Sequence, residues 1–387
     1  MVSLSTEVPE RLIVQADSVV LPEGVRGPGF VVVDHGRIVA VEDGRHPRPD
    51  LTGAGQTLAP GFVDLQINGA AGCDFLSPSD GRLRAADAYL RRTGTVAYLP
   101  TLISAPEEPL RTALEFFAGA MRRTGPPRIL GVHLEGPFLS PARPGAHRLE
   151  YLQPPSIRWI SRLVDDFPGV VRLITLAPEL NGTGPVIDAL AARGILVSAG
   201  HTDATFAQAN AGFDRGIRLA THVFNAMRPY HHREPGVAGA ALTHPEVACS
   251  VIADHIHLHP AVVDQVVRLK GPGHVALVTD AISAAGATGP AMTLGDRSVR
   301  VVGGAPRLDD GTLAGSVLAM DQAVRNVAAR WGLGDAVRMA GGTPARLLGL
   351  DSGEIRTGMR ADLVLLDGAL APTALVVGGV PFALSGD

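Results

Sequence analysis

Apolar residues recur along this chain in short runs at even intervals. The runs cover residues 61–67, 96–103, 128–134, 170–177, 195–199, 218–223, 247–253 and 275–279. They are almost continuously apolar, the pattern of strands buried on both faces of a parallel sheet. The segments between them place apolar residues three and four apart: AADAYLRRTG, PLRTALEFFAGAMRRTG, SIRWISRLVDDF, VIDALAARG, ATFAQANAGFDRG and PAVVDQVVRLKG. That spacing predicts helices, and several of the segments end in Arg-Gly or Arg-x-Gly, as helix C-termini favour. Eight strands alternating with helices predict a (β/α)8 TIM barrel of the α/β class. An open doubly wound sheet alternates similarly, but no Gly-x-Gly-x-x-Gly follows the first strand.

The two ends of the chain have a different texture. Residues 11–58 carry β-branched runs with a turn at His35-Gly36, and residues 353–387 read the same way. The expected division is a small β domain from 1–59 plus 349–387, and a barrel domain over 60–348. Residues 281–315 are rich in Gly, Ala and Thr. They are expected to form a long loop over the barrel mouth, with a hairpin near VRVVGG and DDGTLAGS. Two helices are expected after it, in MDQAVRNVAARWG and DAVRMAGGTPARLLGL.

Composition narrows the class. The 387 residues are 46% hydrophobic and 19% charged, enough for a large core and unlike a disordered chain. A net charge of −4 argues against a nucleic-acid partner. No run approaches the ~20 apolar residues of a membrane span, so no membrane partner is expected. The start, MVSLSTEVPE, lacks the pattern of a signal peptide, and Cys73 and Cys249 form no CxxC. A cytoplasmic setting fits both features. Lys270 is the only lysine, so any anion site must use Arg, His or backbone N–H groups.

Residue types that bind metals sit where the runs end. Glu135 closes RILGVHLE, His201 closes ILVSAGH, His222 closes LATH and Asp280 closes VALVTD. In a parallel barrel these ends converge on one face. Two imidazoles and one carboxylate are the donor set of an open catalytic metal site, with a position left for water. Asp280, across the mouth, is placed to take a proton from water and return it to a leaving nitrogen. The alternative for Asp280 is a helix N-cap. His133 shares a strand face with Glu135 and is expected to support it. Asp64, Gln66 and Asn68 share one face of the first strand. The amides are poor zinc ligands and are read as a hydrogen-bonding pair at the mouth. The cluster His231-His232-Arg233-Glu234-Pro235 is solvated surface or, beside a mouth, an anion site in which Arg233 forks onto phosphate. His257 is a second anion contact in that reading. His35, His46, His244 and His274 are read as ordinary surface histidines.

With these residues in place, the chain resembles the N-acetylglucosamine-6-phosphate deacetylase family of the amidohydrolase superfamily. The segments that carry the resemblance are PGFVDLQING, GVHLEGPFLSPARPGAH, SAGHTDAT, THVFNAM, HHREPGVAGAAL, VTDAISAAG, LDDGTLAGS, TPARLLGL and GMRADLVLLD, spanning residues 60–367. The resemblance implies a barrel with a small β-sandwich domain built from both termini, and release of acetate from an N-acetylated amino-sugar 6-phosphate. It implies one divalent metal per subunit on Glu135, His201 and His222, zinc first, with iron, manganese or cobalt as alternatives. Asp280 is implied as the acid/base, with His147 assisting at the oxyanion. Substrate contacts are implied at Ala146, His147, Asn225, Ala226, Arg233, Asp254 to His257, and Leu313, Ala314 and Gly315. Arg233 is implied to reach the neighbouring subunit, hence a homodimer. Gln66 and Asn68 place the chain with single-metal relatives. His255 departs from the usual Gly, a residue that accepts positive φ readily. Rival expectations are the galacto epimer as substrate, a deaminase or cyclic amidase, and a non-catalytic scaffold barrel.

Overall fold

The computed structural model describes residues 9–287 and 292–384. Most of the N-terminal stretch read for a signal, and part of the 281–315 loop, lie outside the described residues.

All eight expected runs are strands: Phe62–Ile67, Thr95–Ile103, Val132–Glu135, Val171–Leu176, Leu196–Ala199, Leu219–Ala220, Ala248–Val251 and Val275–Leu277. Each pairs in parallel with the next in chain order. The ring closes just beyond the last strand. Asp280 N donates to Gln66 O at 2.8 Å, Asn68 N donates to Ala281 O at 2.7 Å, and Thr279 Oγ1 donates to Asp64 Oδ2 at 2.6 Å. The first and last strands are thus joined at the level of the mouth. Asp64 is fully buried, and burial pushes its carboxyl up to about 7.

Helices wrap the barrel where the spacing places them. Asp80–Arg92 turns Leu83, Ala86 and Leu90 inward, with Asp80 in its first turn and Arg91 and Arg92 in its last, matching the helix dipole. Phe206–Arg215 starts at a reciprocal cap between Thr205 and Gln208. The segment SIRWISRLVDDF is a short helix, Ile157–Ile160, continued by a π-helical turn over Ser161–Asp165. One barrel helix, Gly236–Thr243 (GVAGAALT), has no counterpart in the sequence reading. Its Gly, Val, Ala and Leu residues are buried all round. A helix with no polar face shows no 3.6-residue alternation.

The terminal segments form one eight-stranded mixed sheet in which the C-terminal strand Leu363–Leu366 runs antiparallel to Leu51–Pro60. The far edge returns on itself: Ile38 N donates to Met359 O at 2.8 Å and Ala361 N to Gly36 O at 2.9 Å. The sheet therefore curls into two layers over a core that includes Leu12, Val14, Val31, Ile38, Leu58 and Leu365. His35, at the predicted turn, sits at φ 45°.

The segment above the mouth is more ordered than a loop. It contains a three-stranded antiparallel sheet, Met292–Leu294, Arg297–Val302 and Ala305–Arg307. VRVVGG pairs with APR and not with DDGTLAGS, which forms a separate turn closed by an Arg307–Leu313 bridge. The hairpin is therefore corrected by a few residues: the Gly303-Gly304 pair, both at positive φ, makes the turn.

Candidate active site

Glu135, His201, His222 and Asp280 are all buried and lie together at the C-terminal mouth of the barrel. His222 Nε2 is 3.1 Å from Glu135 Oε1, His201 Nε2 is 3.2 Å from the same oxygen, and the two imidazole nitrogens are 3.2 Å apart. Ligand atoms on a four-coordinate ion with bonds of about 2.0–2.1 Å stand about 3.3–3.4 Å from one another. The triangle of donors fits a divalent cation.

The local backbone is strained where these side chains emerge. His201, His222 and Asp280 have φ of 48°, 32° and 49°. Left-handed non-glycine residues cost of order 1–3 kcal/mol each and persist when the surroundings hold them. All three residues line the same cavity. Gly145, at φ 54°, leaves room for His201: a Cβ there would stand 3.0 Å from the His201 ring.

Hydrogen bonds set which imidazole nitrogen is free. His201 Nδ1 donates to Arg143 O at 3.2 Å, which leaves the Nε2 lone pair facing Glu135. His147 is held the other way. Ser104 N donates to His147 Nδ1 at 3.2 Å, so Nε2 carries the proton, 3.6 Å from Glu135 Oε2. By distance His147 belongs to the same cluster as Glu135 and His201. Its tautomer makes it a donor into the cavity and not a ligand, so His222 is the better third member. His133 lies one layer below, bonded to Thr175 Oγ1 at 2.8 Å and 3.3 Å from Thr101 Oγ1. It does not touch Glu135 directly; it belongs to a hydroxyl chain that continues through Thr221 and Ser198.

Charge in this pocket is finely balanced. Burial works to raise Glu135, but the His147, His201 and His222 imidazoles outweigh it and hold the carboxyl well below the usual range. Burial, with the nearby His147, lowers His201. Burial also opposes a charge on His222, yet the Glu135 carboxylate wins and raises it. The cluster thus attracts positive charge, as a proton on His222 or as a cation. Asp280 is pushed up to about 6, by burial first and then by Glu135. Its Oδ1 accepts from Asn68 Nδ2 at 2.7 Å and Gln66 Nε2 at 3.2 Å. Asn68 Oδ1 and His222 Nδ1 are buried with no protein partner.

A cavity of about 330 Å³ opens above this cluster, within the range of small-molecule sites. Ala146, Asn225, Ala226, His257, Leu313 and Gly315 line it. Ala314 is buried behind the wall. Asp254 acts through His257: its carboxylate accepts from His257 Nδ1 at 2.7 Å and from His257 N at 2.8 Å. Arg233 is exposed, 2.9 Å from the His232 ring, and does not line the cavity of its own chain. His255 is exposed at φ 65°, keeping a left-handed turn without the usual Gly. The lining residues absent from the sequence reading include Ile103, Leu294, Arg307 and Thr312. Arg307 had a signal: it flanks a Asp-Asp-Gly turn beside Leu313, on a segment already placed over the mouth.

A larger cavity, about 590 Å³, lies beside the first two barrel helices. Its arginines serve helix ends: Arg91 donates to Pro126 O at 3.2 Å and Arg122 to Ala118 O at 3.1 Å, while Arg123 pairs with Asp80. No strand end with a metal-binding residue points there.

The sequence profile of the amidohydrolase family matches residues 57–383. The chain is 34% identical over 369 residues to N-acetylglucosamine-6-phosphate deacetylase of Lysinibacillus sphaericus, covering 92% of this chain and 94% of that one. It is 36% identical over 320 residues to N-acetylgalactosamine-6-phosphate deacetylase of Escherichia coli, covering 81% and 85%. Among solved structures, an N-acetyl-D-glucosamine-6-phosphate deacetylase variant of Mycobacterium smegmatis in complex with N-acetyl-D-glucosamine-6-phosphate superposes with a TM-score of 0.92 at 35% identity, covering 96% and 99%. The Pasteurella multocida enzyme of the same name superposes with a TM-score of 0.90 at 30% identity, covering 96% and 100%. The chain belongs to the amidohydrolase family, and within it to the N-acetylglucosamine-6-phosphate deacetylases.

Proposed function

We propose that this protein is a hydrolase that removes the N-acetyl group of N-acetylglucosamine 6-phosphate, giving glucosamine 6-phosphate and acetate, in amino-sugar catabolism. The observation that carries the reading is the meeting of Glu135, His201 and His222 within 3.2 Å, beside a buried Asp280, in a chain so similar to these deacetylases. In this reading Glu135, His201 and His222 hold one divalent metal, zinc by preference for two imidazoles and a carboxylate. A bound divalent ion polarises the amide carbonyl and makes water a stronger acid.

The chain's own residues do the rest. Asp280, raised by burial, accepts a proton from the attacking water and delivers it to the leaving nitrogen. Asn68 and Gln66 fix the Asp280 oxygen that they share. His147, with its proton on Nε2, donates to the oxygen that becomes negative in the transition state. Ala146, Asn225, Ala226, Leu313 and Gly315 shape the sugar pocket, with Ala314 behind it. His257, held by Asp254, and the partner-directed Arg233 of a homodimer bind the phosphate. In this reading the barrel domain, set at 60–348, carries the reaction, and the described residues of the flanking segments, 9–59 and 349–384, belong to the small β domain. Both cysteines are buried free thiols, in keeping with a cytoplasmic setting. No helix among the described residues is long and apolar enough to cross a membrane.

The galacto epimer is a second reading, favoured by the 36% identity to the Escherichia coli enzyme. Acetate release from both epimers, each with and without the 6-phosphate, tests the proposal. Release from N-acetylglucosamine 6-phosphate above the other three supports it. Preference for the galacto form selects the second reading, and release from none removes both.

A further inference from the structure

The cavity contains a guanidinium from its own chain. Arg307 ends the strand Ala305–Arg307 and lines the pocket with His257 and Leu313. A tight turn holds it in register: Leu308 N donates to Thr312 O at 2.9 Å, Arg307 Nη1 donates to Gly311 O at 2.8 Å, and Arg307 bridges to Leu313. The strand leaving that turn is fastened to the proton carrier. Ser316 N donates to Asp280 O at 2.8 Å, and Gly315 passes so close that a Cβ would stand 2.6 Å from the same oxygen. Arg307 therefore has a fixed position relative to Asp280.

Its charge is unanswered. Four of the neighbouring arginines have carboxylate partners: Arg148 has Asp296, Arg300 has Asp309, and Arg143 and Arg228 share Asp203, while Arg297 is held by Ala146 O. Arg307 has a backbone carbonyl and, among the described residues, no carboxylate within salt-bridge distance. Arg307 is partly exposed at the cavity wall, so an anion entering the cavity can reach its guanidinium. The other charged groups on the wall, Glu135 and Asp280, sit at the opposite chemical task.

We propose that Arg307 is a specificity-determining residue that binds the anionic group of the substrate from within the same subunit. Its planar fork suits a phosphate. His257, whose Nδ1 donates to Asp254, adds a second donor at Nε2 in its imidazolium form. Recognition of the phosphate then does not depend on the partner's Arg233 alone. The inference rests on the reading above that the substrate carries a 6-phosphate.

The test compares the wild type with Arg307→Ala and Arg307→Lys. Acetate release is measured on N-acetylglucosamine 6-phosphate and on N-acetylglucosamine, and binding of inorganic phosphate by calorimetry. Arg307→Ala is expected to raise KM for the phosphorylated sugar about 10–100-fold. Its kcat should stay within about threefold, kcat/KM on the plain sugar should not change, and Arg307→Lys should recover part of the loss. Inorganic phosphate should bind more weakly to Arg307→Ala by a similar factor. Equal losses on both sugars mean a structural role and overturn the proposal, as does no loss on either. If the wild type releases acetate from neither sugar, the proposed function fails. The phosphate titration then still decides Arg307: unchanged binding in Arg307→Ala sinks it.

Discussion

Glu135 and Asp280, the two buried carboxylates of the site, share a single donor: Gln66 Nε2 lies 3.0 Å from Glu135 Oε1 and 3.2 Å from Asp280 Oδ1. A neutral amide bridges the two carboxylates. It offers both acids a hydrogen bond without adding charge, so Asp280 keeps the raised affinity for protons that a proton carrier needs.

Removing that donor leaves two carboxylates facing each other in a buried site. Gln66→Leu is expected to lower kcat about 10–100-fold at neutral pH while metal content stays at the wild-type value. Replacing both amides, as Gln66→His with Asn68→His, restores imidazoles on the same strand face and is expected to raise bound metal towards two per chain. Steady-state kinetics reads the fall in kcat, and elemental analysis of the purified variants reads the metal content of both. One metal in the double variant would mean that the amides are not what limits the site.

Asp280→Asn keeps size and hydrogen-bonding capacity but cannot accept a proton. Turnover is expected to fall about 10²–10⁴-fold with metal binding and unfolding midpoint close to wild type. Steady-state kinetics alongside metal analysis checks this. Near-normal turnover would remove Asp280 from the mechanism.

His255 holds φ 65° on an exposed turn, a conformation that costs an L-residue about 1–2 kcal/mol. Glycine relieves that cost and adds back some unfolded-state entropy. His255→Gly is expected to stabilise the fold by about 0.5–1 kcal/mol, seen as a higher denaturation midpoint in urea. Destabilisation would show that the imidazole makes contacts worth more than the strain.

Asp264 joins two barrel helices. It accepts from Arg330 Nε at 2.8 Å and from Trp331 Nε1 at 2.9 Å, and the Arg330 guanidinium beside it brings its carboxyl down to about 2. The folded state therefore favours the ionised form. This stability is present above about pH 4, the ordinary aspartate value, and is lost as pH falls through about 2. Because Arg330 is half exposed, the contribution is discounted to about 1–2 kcal/mol. Asp264→Asn should be less stable than wild type by that amount at pH 6, with the gap closing towards pH 2. A gap independent of pH would assign the effect to packing.

The sequence made the barrel readable because buried parallel strands repeat as apolar runs and each ends in a turn. Glu135, His201, His222 and Asp280 could be picked out for the same reason, since strand ends are positions that periodicity defines. Gly236–Thr243 was hidden because a helix buried on every side carries no polar stripe. Arg307 left one signal, its place beside the Asp-Asp-Gly turn, but its lack of a carboxylate partner among the described residues is a property of space that the sequence does not carry. The tautomer of His147 is likewise set by a backbone N–H forty-three residues away in sequence. Arg233 shows the converse: a motif pointed to it, but a single chain leaves it outside the cavity.

In the reading proposed above, the residue that moves the proton also closes the barrel. Asp280 N reaches back to Gln66 O, and Thr279 beside it is tied to Asp64. Assembly of the ring and assembly of the reactive pair are consequently one event. On that reading a chain cut after the seventh strand, Ala248–Val251, keeps Glu135, His201 and His222 but lacks Asp280, and is expected to release no acetate.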